Sequence, residues 1–484
     1  MSSNNVRRIL YAGAARRVIN PPLGTRKAGL RLFGDPIQAI ESDLTATALV
    51  LSNEDVRVVI IGTDLITMTP AEASELRAGV AQALGIPSSH VLLNLSHNHG
   101  SPALPEYMPD TPEQIALKER YKRDLARWLI EAAREANQNL QPARIGADWG
   151  ECQIGVYRRE FRDGRDVLGE APGHPIDPSV GVIRVDDLDG RPIATLFRYS
   201  CHPVTVGPRS LIASTDFPGP ARDVLEKNLG GLAIFLQGCG GNINPAGGIG
   251  YEVDCRDTQK RVGMTLGAEA LKVAANIRTD RQPGARRPLG NVPNILFTPW
   301  EPVEGDTCSN LSAIDQIVPL EFIELPTLEE AEAIHTHWQQ RLEERRQRNA
   351  QEWEIRFAEK YEKWACGLVD AIKHGLPPCE AYIQALRVND IVIVAINAEV
   401  FFETGLAIRA QSPFKDTFVL GYSNGLIAYL PRAEDYPPGG WKLEASYAVP
   451  DLMFQGYFLP VALHPSSEQT VVHQTVALLQ KYVA

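Results

Sequence analysis

The chain has 484 residues, 44% hydrophobic and 22% charged, an ordinary globular composition with room for one large or two medium domains. Its net charge of −11, with no basic patch, argues against a nucleic-acid partner. No run reaches the ~20 apolar residues that span a bilayer, the start lacks an apolar signal core, and the cysteines form no Cys-x-x-Cys pair, so no membrane contact and a cytoplasmic location with reduced thiols are expected.

Residues 10–16 predict a first strand, and Asn20-Pro21-Pro22-Leu23-Gly24 a turn. Two apolar runs, 44–51 and 56–62, separated by Ser52-Asn53-Glu54-Asp55, predict a hairpin. The second run ends in Thr63-Asp64. Thr69 then offers an N-cap, Pro70 takes the first helical position and Glu72 closes a capping box, for a helix stopped by Gly85 and Pro87. The apolar run 91–95 follows, making a β-α-β unit with parallel strands that puts Asp64 and His97 at one sheet edge. Residues 112–137 read as one or two helices, 143–157 as strand ending in Arg158-Arg159, and 160–178 as a surface loop. A hairpin over 180–185 and 193–199 runs into Ser200-Cys201-His202-Pro203. A short helix over 218–229 ends at Gly230-Gly231, and the strand 232–236 opens into Gly238-Cys239-Gly240-Gly241-Asn242-Ile243-Asn244-Pro245.

In the segment 326–375, Thr327 and Glu330 form a capping box, and Trp353, Phe357, Tyr361, Trp364 and Leu368 make one stripe of a long amphipathic helix. It reads as a helical insertion that covers the site or joins subunits, and on that ground a homo-oligomer is expected. The runs 383–388 and 391–396 pair across Asn389-Asp390 and end at Asn397-Ala398-Glu399. A strand over 417–421 leads to Tyr422-Ser423-Asn424-Gly425 and then Tyr429, and a helix over 471–483 closes the chain. The fold class is α/β, a mixed, largely parallel sheet flanked by helices, as a single domain over 1–484 carrying the insertion.

The chemistry gathers at strand ends. After the 91–95 run come Ser96-His97-Asn98-His99-Gly100-Ser101-Pro102, and the carboxyl ends of strands are where α/β sheets place their sites. Two histidines at i and i+2 on extended backbone point the same way, so one can bind a metal while the other faces whatever binds beside it. His335 and His337 diverge by ~200° on a helix and are set aside as a pair. His97, His202, Glu399 and Tyr429 all stand just after apolar strands. Imidazole and carboxylate suit zinc, which at catalytic sites keeps a position for water. Spacing alone does not single out Tyr429 among the tyrosines. Each residue also has a plainer reading. His202 precedes a proline and suits a turn, and Glu399 suits a helix N-terminus. Asp64 orients His97 as an outer partner, Asp216 caps the helix at Pro218, and Arg158 and Arg159 are surface charges.

Taken in order, Ile19-Asn20-Pro21-Pro22, Asp64-Leu65, the 96–102 motif, Cys201-His202-Pro203, Ser214-Thr215-Asp216-Phe217-Pro218-Gly219, the glycine-rich 238–245, Ala398-Glu399-Val400, Ser423-Asn424 through Tyr429, and Glu444-Ala445-Ser446 resemble the amidase domain of the neutral (alkaline, non-lysosomal) ceramidase family. The resemblance implies one zinc ion held by His97, His202, Glu399 and Tyr429, with His99 near the reacting carbonyl and Arg158 reaching into the pocket. Zinc polarises a carbonyl and lowers the pKa of its water to around 7. That water attacks an amide, Glu399 or a neighbouring base handles the proton, and His99 or Arg158 faces the developing oxyanion.

The chain departs from the family at three points. Asn244 stands where ceramidases carry a serine in Gly-Asp-x-Ser-Pro-Asn. Asparagine donates a hydrogen bond to an oxyanion but is no nucleophile, which favours direct attack by water. Cys239 is an alternative nucleophile, set against the usual inert role of an unpaired cysteine. Trp441 replaces a tyrosine and cannot shuttle a proton. The ceramidases are also longer, with a C-terminal β-sandwich and secretory targeting, so a soluble small-molecule substrate is expected here. The expected function is zinc-dependent hydrolysis of a C–N amide bond. The alternatives are a zinc esterase or lactonase, and a non-catalytic metal- or ligand-binding relative.

Overall fold

The computed structural model describes residues 9–28, 35–105, 110–162, 165–250, 253–303, 310–376, 378–436 and 453–483. Its larger sheet contains β1 (Tyr11–Val18), β2 (Thr45–Ser52), β3 (Arg57–Thr63), β4 (Val91–Leu95), β5 (Gln141–Glu151), β6 (Ser179–Asp187), β7 (Pro192–Tyr199) and β8 (Leu232–Gln237). Their spatial order is β8-β7-β6-β5-β1-β2-β3-β4. A second sheet runs β9 (Leu311–Pro319), β10 (Glu380–Val388), β11 (Ile391–Ile396) and β12 (Asp416–Leu420) in that order. The helices are α1 (Pro70–Leu84), α2 (Pro112–Gln138), α3 (Pro218–Leu229), α4 (Arg256–Asn276), α5 (Leu328–Gln347), α6 (Glu352–His374), α7 (Phe402–Gln411) and α8 (Ser467–Gln480).

The mixed α/β class holds, but the expectation of a largely parallel sheet is met only in part. The parallel pairs of these two sheets are β3 with β4, β7 with β8, and β11 with β12. Their other neighbours run antiparallel. Each parallel pair is bridged by one helix, α1, α3 or α7, because a strand can return to the same sheet edge in the same direction only by crossing over. The α1 crossover is built as the sequence predicts. Thr69 and Glu72 form the reciprocal capping box, and Gly85 closes the helix in the left-handed region at φ 65°.

The strands are apolar on both faces because both faces are covered. Val50, Val59 and Ile61 turn outward against α1 and α2, while their neighbours Leu49, Leu51, Val58 and Ile60 turn inward. There they meet Leu386, Val388, Ile391 and Ile393 of the second sheet. At the other end of the large sheet α3 and α4 cover Val182, Phe197 and Phe235. The outer face of the second sheet, including Val392, Val394 and Val419, packs on α7 and α8. The result is four layers, helices–sheet–sheet–helices, with the two sheets face to face.

The predicted long helix in 326–375 is two helices. The chain reverses between α5 and α6 at Asn349, whose φ of 48° is a left-handed conformation that asparagine tolerates. Most of the aromatic stripe packs inside the chain, while Trp353 at its start stays exposed. Trp338 stacks on Tyr361 at 5.1 Å, and both join Trp364, Leu368 and Val461 in one buried cluster. Within 160–178, read as a surface loop, the strand Arg159–Arg162 pairs antiparallel with Arg165–Leu168 instead. Among the described residues no helix is long and apolar enough to cross a membrane.

Candidate metal centre

The carboxyl ends of the three helix-bridged strand pairs converge. His97 follows β4, His202 follows β7, Glu399 follows β11 and Tyr422 follows β12. The rings of His97 and His202 stand 4.8 Å apart, and those of His97 and His99 5.1 Å. The ligand atoms of His97, His99 and His202 all lie within 4.8 Å of one another, and all three residues are buried. His97 and His99 do meet, but not through strand alternation. His97 has φ 60°, a left-handed turn that folds the motif back after the strand. Tyr422, in contact with it at a ring distance of 4.5 Å, has φ 51°. Such backbone persists only where its surroundings over-determine it, as they do at functional sites.

Hydrogen bonds fix the histidine tautomers. His97 donates from Nδ1 to the Ile66 carbonyl at 2.9 Å, and His202 from Nδ1 to the Gly240 carbonyl at 2.6 Å. Since a carbonyl only accepts, each neutral ring keeps a bare lone pair on Nε2. Both Nε2 atoms face one oxygen, Oε2 of Glu399, at 3.6 and 3.1 Å. Burial lowers the proton affinity of all three histidines, taking His202 down to about 3. Burial also opposes the charge on Glu399, but its charged and polar neighbours, the Arg158 guanidinium among them, outweigh it and hold the carboxyl well below its usual range. Two lone pairs and a carboxylate oxygen thus converge with no proton between them, an arrangement that a cation satisfies. The carbonyls behind His97 and His202 are the outer partners that orient metal-binding imidazoles. His99 differs, since among the described residues neither of its buried ring nitrogens has a hydrogen-bond partner.

The glycine-rich loop passes directly behind this cluster. A Cβ on Gly241 would come within 2.7 Å of the Glu399 carbonyl oxygen, so only glycine permits that approach. Gly241 also accepts from Arg158 Nη2 at 2.7 Å. The buried Arg158 donates further to the Tyr429 hydroxyl at 2.8 Å and to Asn244 Oδ1 at 3.3 Å. It is no surface charge. The strand Gly155–Tyr157 pairs with Ile243–Pro245, which sets Asn244 beside Arg158. The two-residue strands Glu399–Val400 and Tyr429–Leu430 pair in parallel, which sets Tyr429 beside Glu399.

No family model matches the chain. Two curated proteins of Dictyostelium discoideum are similar over a limited stretch. Neutral ceramidase B is 22% identical over 170 residues, and neutral ceramidase A 24% over 170 residues, each match covering 32% of this chain and 24% of the relative. The match therefore spans about a quarter of the relatives' length. Among solved structures, neutral ceramidase from Pseudomonas aeruginosa superposes with a TM-score of 0.64 at 17% identity, over 98% of this chain and 75% of that one. A ceramidase complexed with C2 superposes with a TM-score of 0.65 at 15% identity, over 98% and 76%. The chain has a neutral ceramidase-like fold. The resemblance read from its ordered motifs holds at that level.

Within this ceramidase-like frame several residues take places other than those expected. Asp64 does not touch the His97 ring, whose Nδ1 is held by Ile66. It receives both Nη atoms of Arg222 at 2.8 Å and the backbone N–H and hydroxyl of Thr45 at 2.8 and 2.9 Å. Asp216 accepts from Thr205 and from the backbone of Val206 and Phe217, knotting the loop before α3. The helix cap there is Phe217. Cys239 is buried beside Arg198, and burial pushes its thiol up to about 12, which removes the thiolate a nucleophile needs. His335 pairs with Glu362 across the two helices of the insertion, away from the cluster. Trp441 and Glu444-Ala445-Ser446 lie outside the described residues.

Two tyrosines escaped the sequence reading. Tyr422 donates to Glu399 Oε2 at 3.3 Å, and Tyr457 donates to Glu399 Oε1. Tyr422 ends a strand, as the histidines do, and could have been found by that rule. Nothing local marks Tyr457.

Proposed function

We propose that this chain is a metal-dependent amide hydrolase, holding zinc on His97, His202 and Glu399 with the Tyr429 hydroxyl beside them, and cleaving a C–N amide bond. The observation that carries the reading is the convergence of two Nε2 lone pairs and Glu399 Oε2 on one point. Bound there, zinc would supply Lewis acidity to a carbonyl and to a water.

The chain's own groups account for the rest of the reaction. Arg158 is a fixed cation at the rim of the cluster, pinned by Gly241 and Asn244, and it faces negative charge developing on the amide oxygen. Asn244, where the family has serine, acts here by accepting from Arg158 rather than by attacking. His99 is neutral because burial disfavours its charged form, and neither nitrogen has a partner among the described residues. One nitrogen accepts the proton of the attacking water, and the proton is then delivered to the leaving amine. His99→Ala is therefore expected to lower kcat by about 10²–10⁴-fold, the usual contribution of a general base, while bound zinc stays at the wild-type level by elemental analysis. Zinc lost together with activity would instead make His99 a ligand.

The solved and curated relatives are named as ceramidases, and ceramide is the amide of a fatty acid with a lipid base. The comparisons lend no support to the expected preference for a soluble substrate. The deciding experiment measures zinc per chain and turnover of an N-acyl sphingoid base and of a short, water-soluble N-acyl amine side by side. Zinc with turnover of either amide supports the reading. Zinc without turnover of amides, but with cleavage of esters or lactones, replaces it.

A further inference from the structure

We propose that Tyr457 is a positioning residue for the metal centre, holding Glu399 as a one-oxygen ligand, and that the α5–α6 hairpin is the strap that keeps Tyr457 in place. The proposal rests on the metal-binding reading above and adds to it a residue that the ordered motifs do not contain.

The two oxygens of Glu399 have different surroundings. Oε2 faces Nε2 of His97 and of His202 and accepts a long hydrogen bond from Tyr422 at 3.3 Å, whereas Oε1 receives the Tyr457 hydroxyl and faces neither imidazole. A carboxylate with one oxygen occupied by a phenol presents the other alone, and its rotation about the last side-chain bond is blocked. Tyr457 also packs edge-on against Tyr429 at 5.9 Å, so one ring touches both the carboxylate and the adjacent phenol.

Tyr457 itself sits on a single tight turn, Gln455–Tyr457, followed by Phe458 at φ 59°. Such a turn does not hold a side chain by itself. The Tyr457 ring packs on the core clusters that cover both sheets, and the hairpin adds a restraint from outside them. Trp364 of α6 donates its Nε1–H to the Leu459 carbonyl at 2.8 Å. Val461 is buried among Trp338, Tyr361 and Trp364. The ammonium groups of Lys360 and Lys363 stand 5.8 and 5.6 Å from the Phe458 ring. The insertion thus grips the residues immediately after Tyr457 with the aromatic stripe that an exposed helix would have no reason to carry.

The test compares the wild-type protein with Tyr457→Phe and Trp364→Phe. Zinc affinity is read by competition with a chelator, ligand geometry by the visible spectrum of the cobalt-substituted protein, and folding by thermal unfolding without metal. Tyr457→Phe should weaken zinc by about 10–100-fold, the usual cost of removing an outer partner of a metal ligand, and alter the cobalt spectrum, with metal-free unfolding close to wild type. Trp364→Phe should move affinity in the same direction by a smaller factor. Wild-type affinity and spectrum in Tyr457→Phe, with zinc bound normally by the wild type, would overturn this proposal alone. A wild-type chain that binds no zinc would overturn it together with the metal reading.

Discussion

His97→Ala and His202→Ala should each purify with almost no bound zinc and no measurable amide turnover, while wild type carries one ion per chain. Each ring contributes one of three converging donor atoms, and each is already oriented by a carbonyl on its other nitrogen. Losing an outer partner costs about 10–100-fold in metal affinity, and losing the donor atom itself costs more. The variants should still fold, because alanine leaves one backbone carbonyl short of a partner, Ile66 or Gly240, while Glu399 keeps the Tyr422 and Tyr457 hydroxyls. Elemental analysis after dialysis, with circular dichroism as the folding control, checks this. A full complement of zinc in both variants would place the metal elsewhere and leave only the fold in common with the ceramidases.

Asp64→Ala should have the largest effect on stability, about 3–5 kcal/mol, the range for removing one partner of a buried ion pair. Its carboxylate is fully buried and takes both terminal nitrogens of Arg222, itself only 9% exposed. It also takes two donors from Thr45. The change deprives a mostly buried guanidinium of its bidentate partner and leaves the Thr45 N–H without its acceptor. Urea unfolding would show the loss as a lower midpoint with an unchanged slope. The zinc content of the folded fraction should stay at the wild-type level. Normal stability with zinc lost would return Asp64 to the role of orienting His97.

The two predictions mark what the sequence could and could not reveal. Strands were legible as apolar runs bounded by turn residues, and His97, His202 and Glu399 as polar residues placed where those runs stop. Direction was less legible. A strand covered on both faces reads as an unbroken apolar run whether its neighbours run parallel or antiparallel, and here the second sheet provides the cover that helices give in a parallel fold. Pairings across long separations were beyond reach. Arg222 lies 158 residues from Asp64, and Tyr457 lies 58 from Glu399, with no local pattern at either. Tyr429 was singled out only by likeness to a family. The reversal at Asn349 was missed because the aromatic stripe keeps a helical period right up to the turn.

The layered architecture carries a consequence for the order in which the molecule assembles. His97 and His202 are anchored to the larger sheet, and Glu399 and Tyr422 to the smaller one. The proposed set of His97, His202 and Glu399 is complete only when the two sheets have closed face to face. Contacts this distant along the chain are slow to form, because loop closure is costly before it is rewarded. The complete centre is therefore expected among the last features to form during folding. An ion binding there selects the closed molecule over every partly assembled one, by RT ln(1 + [L]/Kd). The metal would thus serve as a latch between the two halves of the chain, and withdrawing it should first loosen the seam between the sheets rather than either sheet itself.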